Sequence, residues 1–220
     1  MRVCRIDPGR LVFVDEMGTH TSLAPLYAYA PVGERAFFEI PRNRGKHTTL
    51  LTSLHQEGMG PSMAVEGATT SRVFNTYVDR LLAPALRHGQ VVVMDNLGAH
   101  RSKRVREVTK ARGCELIYLP PYSPDLNPIE EAFSKVKHLL RKIGARGKKS
   151  LVEAMDRALG AVSIEGVRGR GRGGTSRGLR GGRYTLSLAF RPQQLKSLRG
   201  LPRPQAGQLP VPESPPHLLI

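Results

Sequence analysis

Residues 91–100 read VVVMDNLGAH, and residues 119–133 read LPPYSPDLNPIEEAF. The first opens on a β-branched apolar run too short for a helix, so it predicts a buried strand, and that strand ends on an acid, Asp95. The second follows the apolar run ELIYLP at 115–120 and continues as a proline-rich loop and a helix start that delivers Glu130. Between them, residues 101–112 form a basic amphipathic segment with Val105 and Val108 inward. A strand, a helix and a strand in this order imply a parallel pair joined by a right-handed crossover. Near the front of the chain LVFVD at 11–15 repeats the theme: an apolar run, bounded by Pro8-Gly9 and Gly18, that ends on Asp15.

The remaining elements follow from the same patterns. Residues 23–30 and 35–40 read as strands split by the turn Pro31-Val32-Gly33, HTTLLTSLH at 47–55 continues the meander, and SMAVEG at 62–67 reads as a further short edge strand. From Thr70 the period becomes helical through Phe74, Tyr77, Val78, Leu81 and Leu82, with Thr70 or Ser71 as N-cap and Pro84 limiting the end. Asn127-Pro128 starts the next helix, with Asn127 as N-cap and an apolar stripe of Ile129, Phe133, Val136, Leu140 and Ile143. Ser150 and Glu153 form a capping box for a last helix over Leu151, Met155, Leu159 and Val162. The fold class is therefore α/β: a mixed sheet, three antiparallel strands then parallel ones, flanked by helices.

The 220-residue chain carries a net charge of +16, which points to a polyanionic partner or an anionic membrane surface. No apolar run approaches the ~20 residues of a membrane span, and the N-terminus has no signal-peptide core, so a cytoplasmic protein without a membrane partner is expected. Cys4 and Cys114 lack metal-ligand spacing and fit a reducing compartment. Composition breaks after Ser163. Residues 164–220 hold 10 Lys and Arg against 2 Asp and Glu, half of the net charge, and residues 168–183 are six Arg and seven Gly with three others. Such a segment lacks the periodicity to fold alone, so the expected division is a domain over 1–163 and a disordered Arg/Gly/Pro-rich tail over 164–220.

The acids carry the chemistry. Neighbouring strands that end on Asp15 and Asp95 can set the two carboxylates side by side. Confined like charges raise each other's pKa unless cations bind, and Mg²⁺ suits a site of a few carboxylates completed by water and phosphate oxygens. Glu16 points to the other face of its strand. Glu130 has an equally good reading as the N3 residue of a capped helix, and Asp125 and Glu131 compete with it. Glu66 reads as a surface acid.

VFVDE at 12–16, VVMDN at 92–96 with His100, and LPPYSPDLNPIEEAF at 119–133 resemble, in order, the three acid motifs of the DDE-superfamily transposases, in the branch of bacterial insertion sequences related to the mariner elements. The 34 residues from 96 to 129 match the spacing in the form of the motif that ends in Glu. The resemblance covers about Leu11 to Val162. It implies a ribonuclease-H-like fold in which Asp15, Asp95 and Glu130 bind two Mg²⁺ or Mn²⁺ ions for DNA cleavage and strand transfer, with element ends and target DNA as partners. Asn96 and His100 are expected to support the ligands. Arg101, Lys103, Arg104, Lys137 and Arg141 are expected along DNA phosphates.

The chain also departs from that family. The catalytic motif begins within fifteen residues of Met1, where full transposases carry helix-turn-helix modules. The expectation is a truncated chain or the downstream frame of a split gene, which admits a homodimer and an upstream-encoded DNA-binding protein as partners. The tail is expected to be out-of-frame sequence in a GC-rich gene. The alternative is an inactive remnant that binds RNA or DNA non-specifically through that tail.

Overall fold

A computed structural model describes residues 6–42, 45–121, 126–164 and 184–186. A turn over Pro8–Arg10, capped by the Asp7 carboxylate on the Gly9 N–H, leads into β1 (Leu11–Thr19). β2 (Thr48–His55) and β3 (Gly58–Glu66) form a hairpin in which His55 pairs with Gly58. Gly58 supplies the positive φ of 134° at that turn. α1 (Ser71–Tyr77) widens into a π-turn over Val78–Leu82 and closes as α2 (Ala83–Ala85). Then come β4 (Val91–Met94), α3 (Lys103–Ala111), β5 (Glu115–Tyr118), α4 (Ile129–Ile143) and α5 (Lys148–Ala161). The five strands lie in the order β3-β2-β1-β4-β5, antiparallel from β3 to β1 and parallel from β1 to β5. This is the ribonuclease-H-like mixed sheet flanked by helices that the motifs imply.

The two-residue period of the central strands divides the core in two. Leu11, Phe13, Val91 and Val93 face α4 and α5, where they meet Phe133, Val136, Leu140, Leu151 and Met155. Val12, Val14, Val92 and Met94 face the other way, onto Phe74, Tyr77, Val78, Leu82 and Val105. Burial on both faces is why VVVM and LVFV are continuous apolar runs. It also holds the strand residues that precede Asp15 and Asp95 between two helical layers; β4 ends there, but β1 runs on past Asp15 to Thr19, beyond the strand expected over 11–15.

Several expected elements differ. Residues 23–30 and 35–40 contain no strand. β2 takes the edge of β1 directly, so the intervening segment has no strand to pair with, and Pro25, Pro31 and Pro41 interrupt any ladder. The segment leaves Leu26, Tyr27, Tyr29, Val32 and Phe37 exposed. Its base is tied down by Arg146, whose guanidinium donates to the carbonyls of Thr21 (2.9 Å) and Leu23 (2.8 Å) and lies 5.2 Å from the Phe38 ring centre. The third antiparallel strand is β3, which begins at Gly58 rather than Ser62. The Asn127 side chain does not cap α4: Pro128 holds that position. Gly144, at φ 64°, closes the helix in the left-handed conformation. The last helix starts at Lys148, so Ser150 is its third residue and its hydroxyl accepts the Gly147 N–H at 3.1 Å. The tail is described only at Tyr184–Leu186, which pairs in parallel with Val162–Ile164, a short strand the composition did not suggest. The disorder expected for the other tail residues, and Cys4 and Asp125, lie outside the described residues.

Leu140 is 1 % exposed between the sheet and α5. Leu140→Ala is expected to cost about 2–5 kcal/mol, read as a lowered urea midpoint at constant slope, whereas Leu26→Ala, at 69 % exposure, leaves the midpoint in place. Equal midpoints for the parent and Leu140→Ala would contradict this packing.

Candidate active site

The parallel register pairs Val14 with Met94, so the next residues, Asp15 and Asp95, come side by side where the β1–β4 pairing stops; β4 ends there, whereas β1 runs on to Thr19 against β2. The crevice beyond the carboxyl ends of parallel strands is the usual place for a site in an α/β sheet. Asp15 is 6 % exposed. Its Oδ1 accepts the Glu16 backbone N–H and its Oδ2 accepts the side-chain amide of Asn127, both at 2.7 Å. Burial pushes its pKa up to about 7; the Glu16 N–H works against that, and the charges of Asp95 and Glu130 add to it.

The Asn127 contact joins residues 112 positions apart and fixes the start of α4 against the middle of β1. Glu130 follows one turn later, its N–H on the Asn127 carbonyl at 3.2 Å. Its exposed carboxylate makes no hydrogen bond or ion pair among the described residues, yet its charge reaches Asp15. Its neighbour Glu131 is turned away into an ion pair with Lys135.

Asp95 is held from its own loop. Oδ1 accepts the Leu97 N–H at 3.3 Å and pairs with Nδ1 of His100. His100 is wholly buried, with the Phe74 ring centre 4.0 Å from its own. Its carbonyl accepts the Tyr118 hydroxyl at 3.0 Å. Burial alone would lower its pKa, but Asp95 and Glu16 outweigh that and lift it to about 9. Glu16 does point to the opposite face from Asp15, as its strand position implies, and that face brings its Oε2 to 3.8 Å from Nε2 of His100. Burial raises the Glu16 carboxyl, but His100 and Thr69 beside it bring it below the usual range. Sequence reasoning set Glu16 aside and gave Asn127 only a capping role. The pairing of each with a partner far along the chain has no local signal.

The donor chemistry fits a hard divalent cation: three carboxylates, one of them with its pKa raised to about 7 chiefly by burial, with the charges of the other two adding to it. Among the described residues no three His, Cys, Asp or Glu side chains converge closely enough to hold one ion. Asp15 is instead occupied with Asn127, and Asp95 with His100. Asn96 is half-buried beside Asp95. Lys137 and Arg141 lie half-buried along α4 and pair with no acid among the described residues. Arg101 is exposed in the turn before α3. Lys103 pairs with Glu107 at 3.5 Å, and Arg104 is drawn into an ion pair with Asp79 at 3.0 Å that ties α3 to the π-turn.

A family model described as DDE superfamily endonuclease matches residues 10–151. Among solved structures, the chain is similar to the pre-cleavage Mos1 transpososome, with a TM-score of 0.58 and 21 % identity over 70 % of this chain and 49 % of that one. It is similar to the mariner Mos1 paired-end complex with Mg, at TM-score 0.56 and 22 % identity over 69 % and 48 %. It is also similar to the catalytic domain of Mos1 mariner transposase, at TM-score 0.51 and 21 % identity over 70 % and 71 %. At these identities the likeness establishes the fold, and the chain spans about half the length of the chains in the first two structures. No curated protein matches it.

The two groups of the site raised by folding, Asp15 and His100, set a pH dependence for the metal-free protein. Asp15 rises from 3.8 to about 7 on folding, so between those values the unfolded chain has released a proton that the folded chain keeps. The stability contributed by protonated Asp15 is complete below about pH 4 and is lost as the pH rises through 7. His100, lifted from 6.5 to about 9, contributes stability that is complete below 6.5 and lost as the pH rises through 9. Asp15→Asn should therefore gain on the parent by on the order of 2–4 kcal/mol between pH 4 and 8, measured by urea denaturation in a chelator. A stability difference independent of pH would show that burial does not raise the Asp15 pKa.

Proposed function

The chain belongs to the DDE superfamily of endonucleases, and on that premise we propose that residues 1–163 are the catalytic domain of a transposase that cuts DNA at element ends and joins those ends to a target. The observation that carries this reading is the register of β1 and β4, which sets an acid of each side by side where their pairing stops, with Asn127 tying the helix of Glu130 to the first of them.

Asp15, Asp95 and Glu130 are the proposed ligands of two Mg²⁺ or Mn²⁺ ions. Ions bound there would lower the pKa of an attacking hydroxyl and stabilise the leaving oxygen of an in-line displacement at phosphorus. Solved Mos1 paired-end complexes with Mg and with Mn support the choice of ions. The chain's own residues prepare the site. Asn127 holds one Asp15 oxygen, the Glu16 N–H the other, and His100 orients Asp95. Because the carboxylates serve as ligands and not as nucleophiles, no covalent protein–DNA intermediate forms. Lys137, Arg141 and Arg101 are placed to neutralise phosphates, and Lys103 is exposed enough to join them. Arg104 contributes only if it leaves Asp79. The net charge of +16 suits a polyanionic substrate, and the Arg/Gly/Pro-rich tail from 164 adds a sequence-independent share of that attraction.

A separately encoded DNA-binding chain is proposed to recognise the element ends. A second copy of this chain is the proposed protein partner. The irregular segment between β1 and β2 exposes Tyr27, Tyr29, Val32 and Phe37, and between Leu23 and Pro41 its only charges are Glu34, Arg35 and Glu39. An apolar, slightly acidic arm on a strongly basic chain suits protein rather than DNA.

Two measurements test the proposal. Asp95→Asn is expected to lower Mg²⁺-dependent DNA cleavage by on the order of 100-fold or more with DNA affinity within threefold. Equal cleavage by both proteins ends the metal mechanism, and binding without cleavage by either favours the inactive nucleic-acid binder. Replacing Tyr27, Tyr29 and Phe37 together by Ser is expected to shift the sedimentation coefficient from dimer to monomer at micromolar concentration. A parent that is already monomeric in the presence of DNA ends would remove the arm's role.

A further inference from the structure

Glu16 directly follows Asp15, and strand alternation turns its side chain to the sheet face that packs α1 and His100. Three buried polar atoms gather in that region without a hydrogen-bond partner among the described residues: Oε2 of Glu16, Oγ1 of Thr69 and Nε2 of His100. Buried polar groups seldom stay unsatisfied without a reason. The reason here lies on the other side of the imidazole, where Nδ1 is bonded to Oδ1 of Asp95. The ring cannot swing out to solvent, because it is wholly buried, stacked on Phe74 and anchored through its carbonyl by Tyr118. It can only turn over in place, which would exchange carbon for nitrogen towards Asp95. A carboxylate 3.8 Å from Nε2 favours the orientation that keeps a nitrogen towards each acid.

We propose that Glu16 is a positioning residue: by drawing Nε2 of His100, it fixes the imidazole whose Nδ1 holds Oδ1 of Asp95, and so fixes the direction in which the Asp95 carboxylate is offered to a divalent cation. This rests on the reading of Asp95 as a metal ligand. Thr69, at the entry to α1, lies beside the same Glu16 carboxylate and limits its rotamers. The consecutive acids of VFVDE thus divide the labour, Asp15 facing the ions and Glu16 bracing the ligand on the neighbouring strand.

The test uses Mn²⁺ alone as the probe, titrated into the full chain without DNA and followed by the EPR signal of the free ion. Glu16→Gln keeps the shape and removes the charge. It is expected to weaken Mn²⁺ binding roughly tenfold, the scale typical of groups that orient metal ligands, with the thermal midpoint within a few degrees of the parent. Nitrogen-15 NMR of the histidine ring supplies a readout that a merely structural role would not move. The slowly exchanging Nδ1 proton of His100 should be sharp in the parent and broadened in Glu16→Gln. Glu16→Asp retracts the charge and should fall between the two. Asp95→Asn separates the possible failures. If it loses Mn²⁺ while both Glu16 variants bind like the parent and keep the Nδ1 signal, the bracing role is wrong and the metal site stands. If Asp95→Asn itself binds Mn²⁺ like the parent, the metal-ligand reading and this inference fall together.

Discussion

Like charges confined at one end of a sheet govern this molecule. Asp15 and Asp95 lie side by side where the pairing of two adjacent parallel strands stops, and Glu130 is brought towards them by a helix pinned to Asp15 through Asn127. The arrangement works against folding at neutral pH, since Asp15 keeps a proton up to about pH 7 rather than carry an unscreened charge there. What holds it is packing elsewhere. β1 and β4 are buried on both faces, and their ends cannot move apart without exposing Phe13, Val93 and the helices over them. Burial that stabilises the sheet is thus the cause of the strain at its rim, and a cation between the acids would relieve that strain.

Around that rim each acid has been given a different keeper. Asp15 has an amide and a backbone N–H, neutral donors that leave its charge to be settled by what else approaches. Asp95 has an imidazole that is itself charged by the two acids flanking it. Glu130 has neither and is exposed at the first turn of α4. The consequence is a graded set of acids: one carboxylate held by two neutral donors, one oriented by an imidazole and one exposed with no partner among the described residues. That suits a site where a substrate with its own oxygen donors completes the coordination shell.

The parts legible in the sequence were those with a local cause. VVVM and LVFV declare strands because burial on two faces demands unbroken apolar runs, and α4 declares itself through the spacing of Ile129, Phe133, Val136 and Leu140. Asp95 after VVVM was legible for the same reason, whereas β1 does not stop at Asp15 as LVFVD suggests but runs on to Thr19, because β2 continues to pair with it. The segment over 23–40 misled because alternating apolar residues predict a strand only where an edge is free to receive it, and β2 had already taken the edge of β1. Asn127 misled in a different way. An Asn before Pro at a helix start is a good cap by local rules, but the buried Asp15 carboxylate is a stronger acceptor for its amide than solvent, and the long-range bond won.

Glu16 shows the limit of reading strands one face at a time. Alternation correctly sends it away from Asp15, and by that rule alone it leaves the site. The loop after β4 then folds His100 back under the sheet edge, so the far face of β1 becomes the near side of Asp95. Two acids that cannot share a face can still share a site if a third residue passes between their faces. Here that residue is a histidine whose two nitrogens sit on opposite sides of one rigid ring, which is the property needed to link them.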